Sequence, residues 1–244
     1  MLRINEIHRS FDQIGLSEND VVMIHGDAGV AAQIDCDPAS DKLLLLIREI
    51  INYFKKGTII FPTFTYSATK NEVFCPAKTK SEVGLFSEKF LKFNGVVRSH
   101  HPIFSVGCYG KKANYFAKTK NFDCFGQDSL FDKLYLSDAK ILTLGCSFDR
   151  VTFTHYVEQK INVPYRYFKN FDGKIKLNGK IINQNIRYYV RDHNLYNEIN
   201  FEKLEKFLSI KKKLRKGAFG RFSLRSVSAK NFNDILFMLL KKDY

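Results

Sequence analysis

Residues 149–158 read DRVTFTHYVE and set Thr152, His155 and Glu158 three positions apart. On a helix, a three-residue step turns about 300° and rises about 4.5 Å. Neighbours at that spacing touch on one face. Glu158 can then reach His155 and orient its ring, with Thr152 one turn the other way. A His held by a carboxylate is how proteins build a general base, because its unperturbed pKa of about 6.5 lies close to working pH. The same spacing also describes an ion pair on an exposed helix, worth a few tenths of a kcal/mol.

Other residues able to do chemistry sit elsewhere. RSHHP (98–102) holds two adjacent His. Neighbours in an extended chain point to opposite faces, and the residue before Pro is held extended, so both can hardly line one pocket. His100 is the one expected in solvent. His25 closes the apolar run DVVMIHGDAG (20–29), where a satisfied core His is the default. Asp27 beside it could meet an ammonium group. Cys146 ends another apolar run near His155; it reads as a small buried hydrophobe or as a nucleophile that would carry an acyl group. No G-x-x-x-x-G-K-[ST], G-x-G-x-x-G or H-E-x-x-H occurs, which removes kinase, nicotinamide-dehydrogenase and zinc-protease chemistry.

These groups need a scaffold. Apolar spacing predicts an amphipathic helix over 2–14, a helix opened by Pro38 and closed at 55–57, helices over 84–93, 128–136, 201–210 and near 228–241. Buried strands are predicted over 20–29, 58–62, 102–110 and 140–146, and a long functional loop over 63–83. Asn178-Gly179 between alternating apolar residues predicts a hairpin. Strands alternating with helices through residue 160 predict an α/β fold, an αβα sandwich with a mixed or mostly parallel sheet. Sites in such sheets lie at the carboxyl ends of the strands, where His25 to Asp27, Pro62 to Thr65 and Cys146 to Glu158 fall. The expected organisation is a single domain over 1–244, with a core of 1–170 and a basic α+β elaboration over 171–244.

Composition narrows the class. The chain has 244 residues, 45% hydrophobic, and five scattered Cys without a C-x-x-C pair, which fits a reducing cytoplasm. No apolar run is long enough to span a membrane, and the amphipathic start lacks the core of a signal peptide. The net charge is +14. Residues 1–40 carry two basic against seven acidic side chains, net −5; residues 160–225 carry 17 against five, net +12. Such a half predicts an anionic partner. No nucleic-acid-binding module is recognisable, so no nucleic acid is expected. KKKLRKGAFGR (211–221) reads best as a solvated face.

With the pieces in order, the chain resembles the aminoglycoside 3-N-acetyltransferase family, collinearly over roughly residues 5–170. VVMIHGDAG, GTIIFPTFTYS, SEVGLFSEKFLKFNGVVRSHHPIFSVGCYG, FGQDSLFDKLYLSDAKILTLG and TFTHYVE follow one another with similar spacing. The last resembles the family's catalytic T-x-x-H-x-x-E. The resemblance implies an α/β sandwich unrelated to the GNAT acetyltransferases, acetyl-CoA as donor, a sugar-ring primary amine as acceptor, and no metal. It implies His155 as base, Glu158 as its orienting acid, and Thr152 bonding the thioester side or the leaving thiolate. It places Arg98, Ser99, His101, Ser105 and Val106 near the coenzyme, with His25 as a lesser contact; His101 can also be read as a structural residue shaping its loop. Two features depart from the family. Gly26-Asp27 replaces a small hydroxyl pair, and the chain is short and basic.

A polycationic aminoglycoside suits an acidic site. The +14 charge instead predicts an anionic acceptor, such as a nucleotide-linked amino sugar for surface glycan synthesis. The alternatives are an aminoglycoside resistance enzyme and, in another class, a non-catalytic basic module binding nucleic acid or an anionic membrane surface. A homodimer is the base-rate expectation.

Overall fold

The computed structural model describes residues 1–195 and 199–243. The chain runs α1 (Ile4–Gln13), β1 (Val21–Gly26), α2 (Lys42–Tyr53), β2 (Thr58–Pro62), β3 (Val73–Phe74), α3 (Leu85–Phe90), β4 (Val97–Arg98) and β5 (Val106–Gly110). It continues with α4 (Ala113–Ala117), α5 (Leu130–Leu136), β6 (Lys140–Leu144), α6 (Thr154–Ile161), β7 (Arg166–Leu177) and β8 (Lys180–Arg191). It closes with α7 (Phe201–Ile210), β9 (Arg215–Phe219), β10 (Phe222–Ser228) and α8 (Ala229–Asp243).

Seven strands form one mixed sheet in the order β4-β5-β2-β1-β6-β10-β9. β2, β1 and β6 are parallel, and the pairs on either side are antiparallel. Their alternation divides the core in two. Val22 and Ile24 of β1, Ile59 and Phe61 of β2, and Leu142 and Leu144 of β6 pack with α1, α2 and α3. Met23, Ile60 and Ile141 face the opposite layer, where Phe131, Val157, Leu204 and Leu236 from α5, α6, α7 and α8 meet. The sandwich is the one expected from the sequence. No helix among the described residues is long and apolar enough to cross a membrane.

Several boundaries differ for identifiable reasons. α2 begins at Lys42, not Pro38, because the Asp41 carboxylate accepts from the Leu43 and Leu44 amides, both at 3.1 Å, and so caps the helix. Residues 102–105 are loop, bent around the His101 ring. The 63–83 segment contains a 3₁₀ turn (Ser67–Lys70) and β3, which pairs parallel with β7. The hairpin turns at Asn178-Gly179, with both φ positive, and pairs Arg166 with Arg191 through to Leu177 with Lys180. The basic stretch 211–221 supplies β9, and β10 pairs with β6 inside the main sheet. Residue 170 falls inside β7; the main sheet takes β9 and β10 from beyond it, and the β3-β7-β8 sheet takes β3 from before it.

The parallel register brings Gly26 level with Leu144, so β1, β2 and β6 end on one edge. Gly145 leaves β6 with φ +74°, and a Cβ there would lie 2.2 Å from Val30 Cγ1. Only glycine takes this turn beside the loop that follows β1. Gly145→Ala is expected to cost about 3 kcal/mol from the left-handed backbone and the overpacking, a melting shift of roughly 10 °C for a chain of this size. An unshifted thermal melt would contradict the close packing of these two loops.

Candidate active site

Thr152 lies just before α6, and its carbonyl accepts from the His155 amide at 3.0 Å. The Thr154 hydroxyl donates to Val151 O at 3.0 Å and secures the same turn. His155 and Glu158 are on α6 itself, one turn apart. The helix stops at Asn162 in the left-handed conformation, and Pro164 keeps the chain from re-entering it. The chain then doubles back through Tyr165 and Arg166 to lie beside Glu158.

Glu158 is only 2% exposed and is the hub of a cluster. Its Oε2 lies 2.7 Å from His155 Nδ1 and 2.9 Å from Arg166 Nε. Its Oε1 accepts from the Tyr165 hydroxyl at 2.8 Å. Burial raises the Glu158 pKa, but the His155 bond, the His155 and Arg166 charges and the Tyr165 bond outweigh it, so the carboxyl titrates below its ordinary range. An ionised carboxylate at 2.7 Å requires the proton on Nδ1, which donates to it. Nε2 is then the nitrogen with the free lone pair. The His155 side chain is 30% exposed and stands edge-on to Phe125, with ring centroids 5.5 Å apart. Burial and, less strongly, the Arg166 charge lower its pKa, against the Glu158 contact that raises it; the net shift is downward. The ring is therefore neutral at pH 7 and able to accept a proton.

Two cavities meet here. His155 opens into one of 360 Å³, lined also by Thr152, Arg150, Arg166, Arg191 and Phe201. The other, of 530 Å³, lies at the strand ends and is lined by His25, Asp27, Pro62, Tyr66, Glu82 and Cys146. Asp149, Arg150 and Thr152 border both. Their sizes suit small-molecule ligands. His25 is buried, its Nε2 has no hydrogen-bond partner among the described residues, and burial lowers its pKa to about 4, so the ring that lines the larger cavity is neutral. Cys146 Sγ donates to His25 O at 3.2 Å, and burial raises its pKa to about 11. It is a thiol at neutral pH, which disfavours an acyl-cysteine.

The structure thus gathers Thr152, His155, Glu158 and His25 around two joined cavities. It does not bring Arg98, Ser99, His101, Ser105 or Val106 there. The Arg98 guanidinium donates to the carbonyls of Thr63 (2.7 Å), Pro76 (3.2 Å) and Thr79, and its carbon sits 5.1 Å from the Phe74 ring centroid. Burial lowers its pKa to about 10, which leaves it charged. Ser105 Oγ donates to Thr63 O at 2.5 Å, and Ser99 Oγ accepts from the Val106 amide at 2.9 Å. Val106 is fully buried. His101 Nδ1 accepts from the Ile103 and Phe104 amides, and burial lowers its pKa to about 3. In this geometry Arg98 and Ser105 hold the 63–83 segment against β5, and Ser99 and His101 shape the 99–106 loop. His100 is exposed.

Sequence reasoning missed Tyr165 and Arg166. Nothing in their spacing from His155 is periodic, and Arg166 is one of many basic side chains in its half. The tight contact exists only because the chain reverses at Asn162.

A family model described as aminoglycoside 3-N-acetyltransferase matches residues 31–241, which include Thr152, His155 and Glu158. The chain belongs to the aminoglycoside 3-N-acetyltransferase family. This family member is 32% identical over 103 residues to the SPbeta prophage-derived aminoglycoside N(3')-acetyltransferase-like protein YokD of Bacillus subtilis (strain 168). That match spans 42% of this chain and 37% of YokD. The fold is similar to the crystal structure of aminoglycoside acetyltransferase AAC(3)-Xa, with TM-score 0.85 and 19% identity over 98% of this chain and 92% of that one. It is similar also to AAC-IIIb in its binary complex with CoASH, with TM-score 0.84 and 17% identity over 99% and 97% of the two chains.

Arg98→Ala leaves three backbone carbonyls without their donor and is expected to destabilise the fold by about 3 kcal/mol. A normal melting temperature with only a raised KM for acetyl-CoA would assign the guanidinium to the coenzyme instead.

Proposed function

We propose that this chain is an acetyl-CoA-dependent N-acetyltransferase acting on the primary amine of an amino sugar by direct transfer, with His155 as general base. The observation that carries the reading is the His155–Glu158 contact at the mouth of a cavity that adjoins a second one at Thr152. Family membership supports the reaction class.

Acetyl transfer to an amine has three requirements. The amine must lose a proton, the thioester must be held close, and the developing oxyanion must be stabilised. In this reading the acceptor enters the 360 Å³ cavity, because that is where His155 opens. Nε2 takes a proton from the amine, whose lone pair attacks the thioester carbonyl carbon. The C–N bond forms, the C–S bond breaks, and the coenzyme thiolate leaves to be protonated. Glu158 stabilises the imidazolium formed on the way. The thioester end of acetyl-CoA is assigned to the 530 Å³ cavity, which His25 lines and Thr152 borders.

Charge supports the choice of acceptor. Arg150 and Arg191 line the acceptor cavity and suit an amino sugar that bears an anionic group, such as a nucleotide diphosphate. A second reading, an aminoglycoside acceptor, is favoured by the family match, by Asp149, which borders both cavities, and by Asp27 and Glu82 of the neighbouring one.

Thiol release from acetyl-CoA, followed against nucleotide-linked amino deoxysugars beside gentamicin and kanamycin, separates the two. Turnover with a nucleotide sugar alone supports the first reading, and turnover with aminoglycosides alone the second. With the active acceptor, His155→Ala should lower the rate about 10²–10⁴-fold and leave acetyl-CoA affinity nearly unchanged; a near-normal rate would sink the base assignment. Because the His155 pKa is shifted down, activity should persist to pH values below 6.5, the ordinary His value, and fall only as Nε2 is protonated beneath it.

A further inference from the structure

Arg166, the first residue of β7, lies within the His155–Glu158 cluster with its side chain 8% exposed. Its guanidinium makes three contacts. Nε is 2.9 Å from Glu158 Oε2, Nη2 is 2.9 Å from His155 Nδ1, and Nη1 donates to Tyr189 O at 3.1 Å. The Tyr189 carbonyl belongs to β8, and the pairing of Arg166 with Arg191 fixes the strand that carries it. The fork is thus aimed by the hairpin and not by α6.

His155 Nδ1 can serve only one of its two neighbours at a time. With a proton, Nδ1 donates to Glu158. Without one, it accepts from Arg166 Nη2, and the ring's proton moves to Nε2, where it abolishes the base. Both bonds involve an ionised partner, and the one to the carboxylate is the shorter, 2.7 Å against 2.9 Å, so the first state prevails. In that state the guanidinium faces an N–H, and its charge opposes a second proton on the ring. Arg166 also occupies the carboxylate oxygen that would otherwise stabilise the imidazolium without competition.

We propose that Arg166 is a positioning residue of this enzyme: it pins the Glu158 carboxylate from the hairpin side and keeps His155 in its neutral, proton-accepting form. The proposal rests on the reading of His155 as the base. The charged or titratable groups around the ring are Glu158 on α6, Tyr165 and Arg166 at the start of the hairpin, Arg191 at its end, and Asp149 and Arg150 on the preceding turn. Among these, Glu158 and Arg166 are the two that contact Nδ1.

The test is the titration of the His155 ring by NMR in the full chain, its signal assigned by loss in His155→Gln. It needs no acceptor, so failure of the proposed activity and failure of this proposal are distinguishable. Arg166→Met should raise the His155 midpoint by about one pH unit, since a like charge is removed and Glu158 left unopposed. Arg166→Lys keeps the charge and should hold the midpoint close to that of the parent, though it loses the fork. Arg166→Gln, which retains a donor toward Glu158, is the second neutral variant and should also raise it. A midpoint unmoved in a folded neutral variant would overturn the proposal, as would a Lys variant that shifts as far as the neutral ones.

Discussion

One buried carboxylate organises this molecule. Withdrawing an ion from water costs several kcal/mol unless partners replace the lost solvation. Glu158 finds three: an imidazole on its own helix, a phenol from the following turn and a guanidinium from the hairpin. One partner lies on α6 and the other two are consecutive residues beyond its end, so satisfying Glu158 requires α6 to stop at Asn162 and the chain to return along its side. The hairpin is therefore part of the site that α6 begins. It also reaches the far side of the cleft, because β3 pairs with β7 and Arg98 ties the same segment to β5.

The sheet supplies the second condition. Three parallel strands end on one edge, where His25 of β1 and the loops that carry Asp27 and Thr152 share a wall. Backbone polar groups at that edge are not left to solvent alone. The Asp27 amide donates to Leu144 O and the Gly145 amide to Ser223 O, both at 2.9 Å. The larger cavity is thus braced by β10, a strand from the basic half. The buried His25 and His101 stay neutral for the same reason that His155 leans that way, since burial disfavours the charged ring. What distinguishes His155 is its partly open ring and its carboxylate.

Much of this was legible before the fold was known. The α/β alternation, the hairpin turn at Asn178-Gly179 and the helix over 201–210 follow from local periodicity and turn chemistry. His155 with Glu158 follows from helical spacing. What was not legible depends on contacts between distant segments. Thr152 was expected one turn back on the helix but precedes it, because the chain enters α6 through a 3₁₀ turn. Arg98, Ser99 and Ser105 carry polar groups that look suited to a ligand, yet bind the backbone of the segment beside them. β9 was hidden by the charge of 211–221, which reads as solvated face although Phe219 is buried, and β10 was not foreseen although Leu224 and Val227 are buried in opposite layers of the core. Net charge was the coarsest guide: the chain is +14 overall, while both cavities are lined by arginine and carboxylate side chains together, with Arg150 and Asp149 bordering both.

The base at this site depends on where the His155 proton sits. Ring ¹⁵N chemical shifts of His155, measured at neutral pH in the unmodified protein, report that directly. A neutral ring with its proton on Nδ1 and a lone pair on Nε2 is the predicted result, since an ionised Glu158 accepts from Nδ1. A ring protonated on Nε2, with Nδ1 accepting from Arg166, would leave no base facing the cavity and would contradict the account.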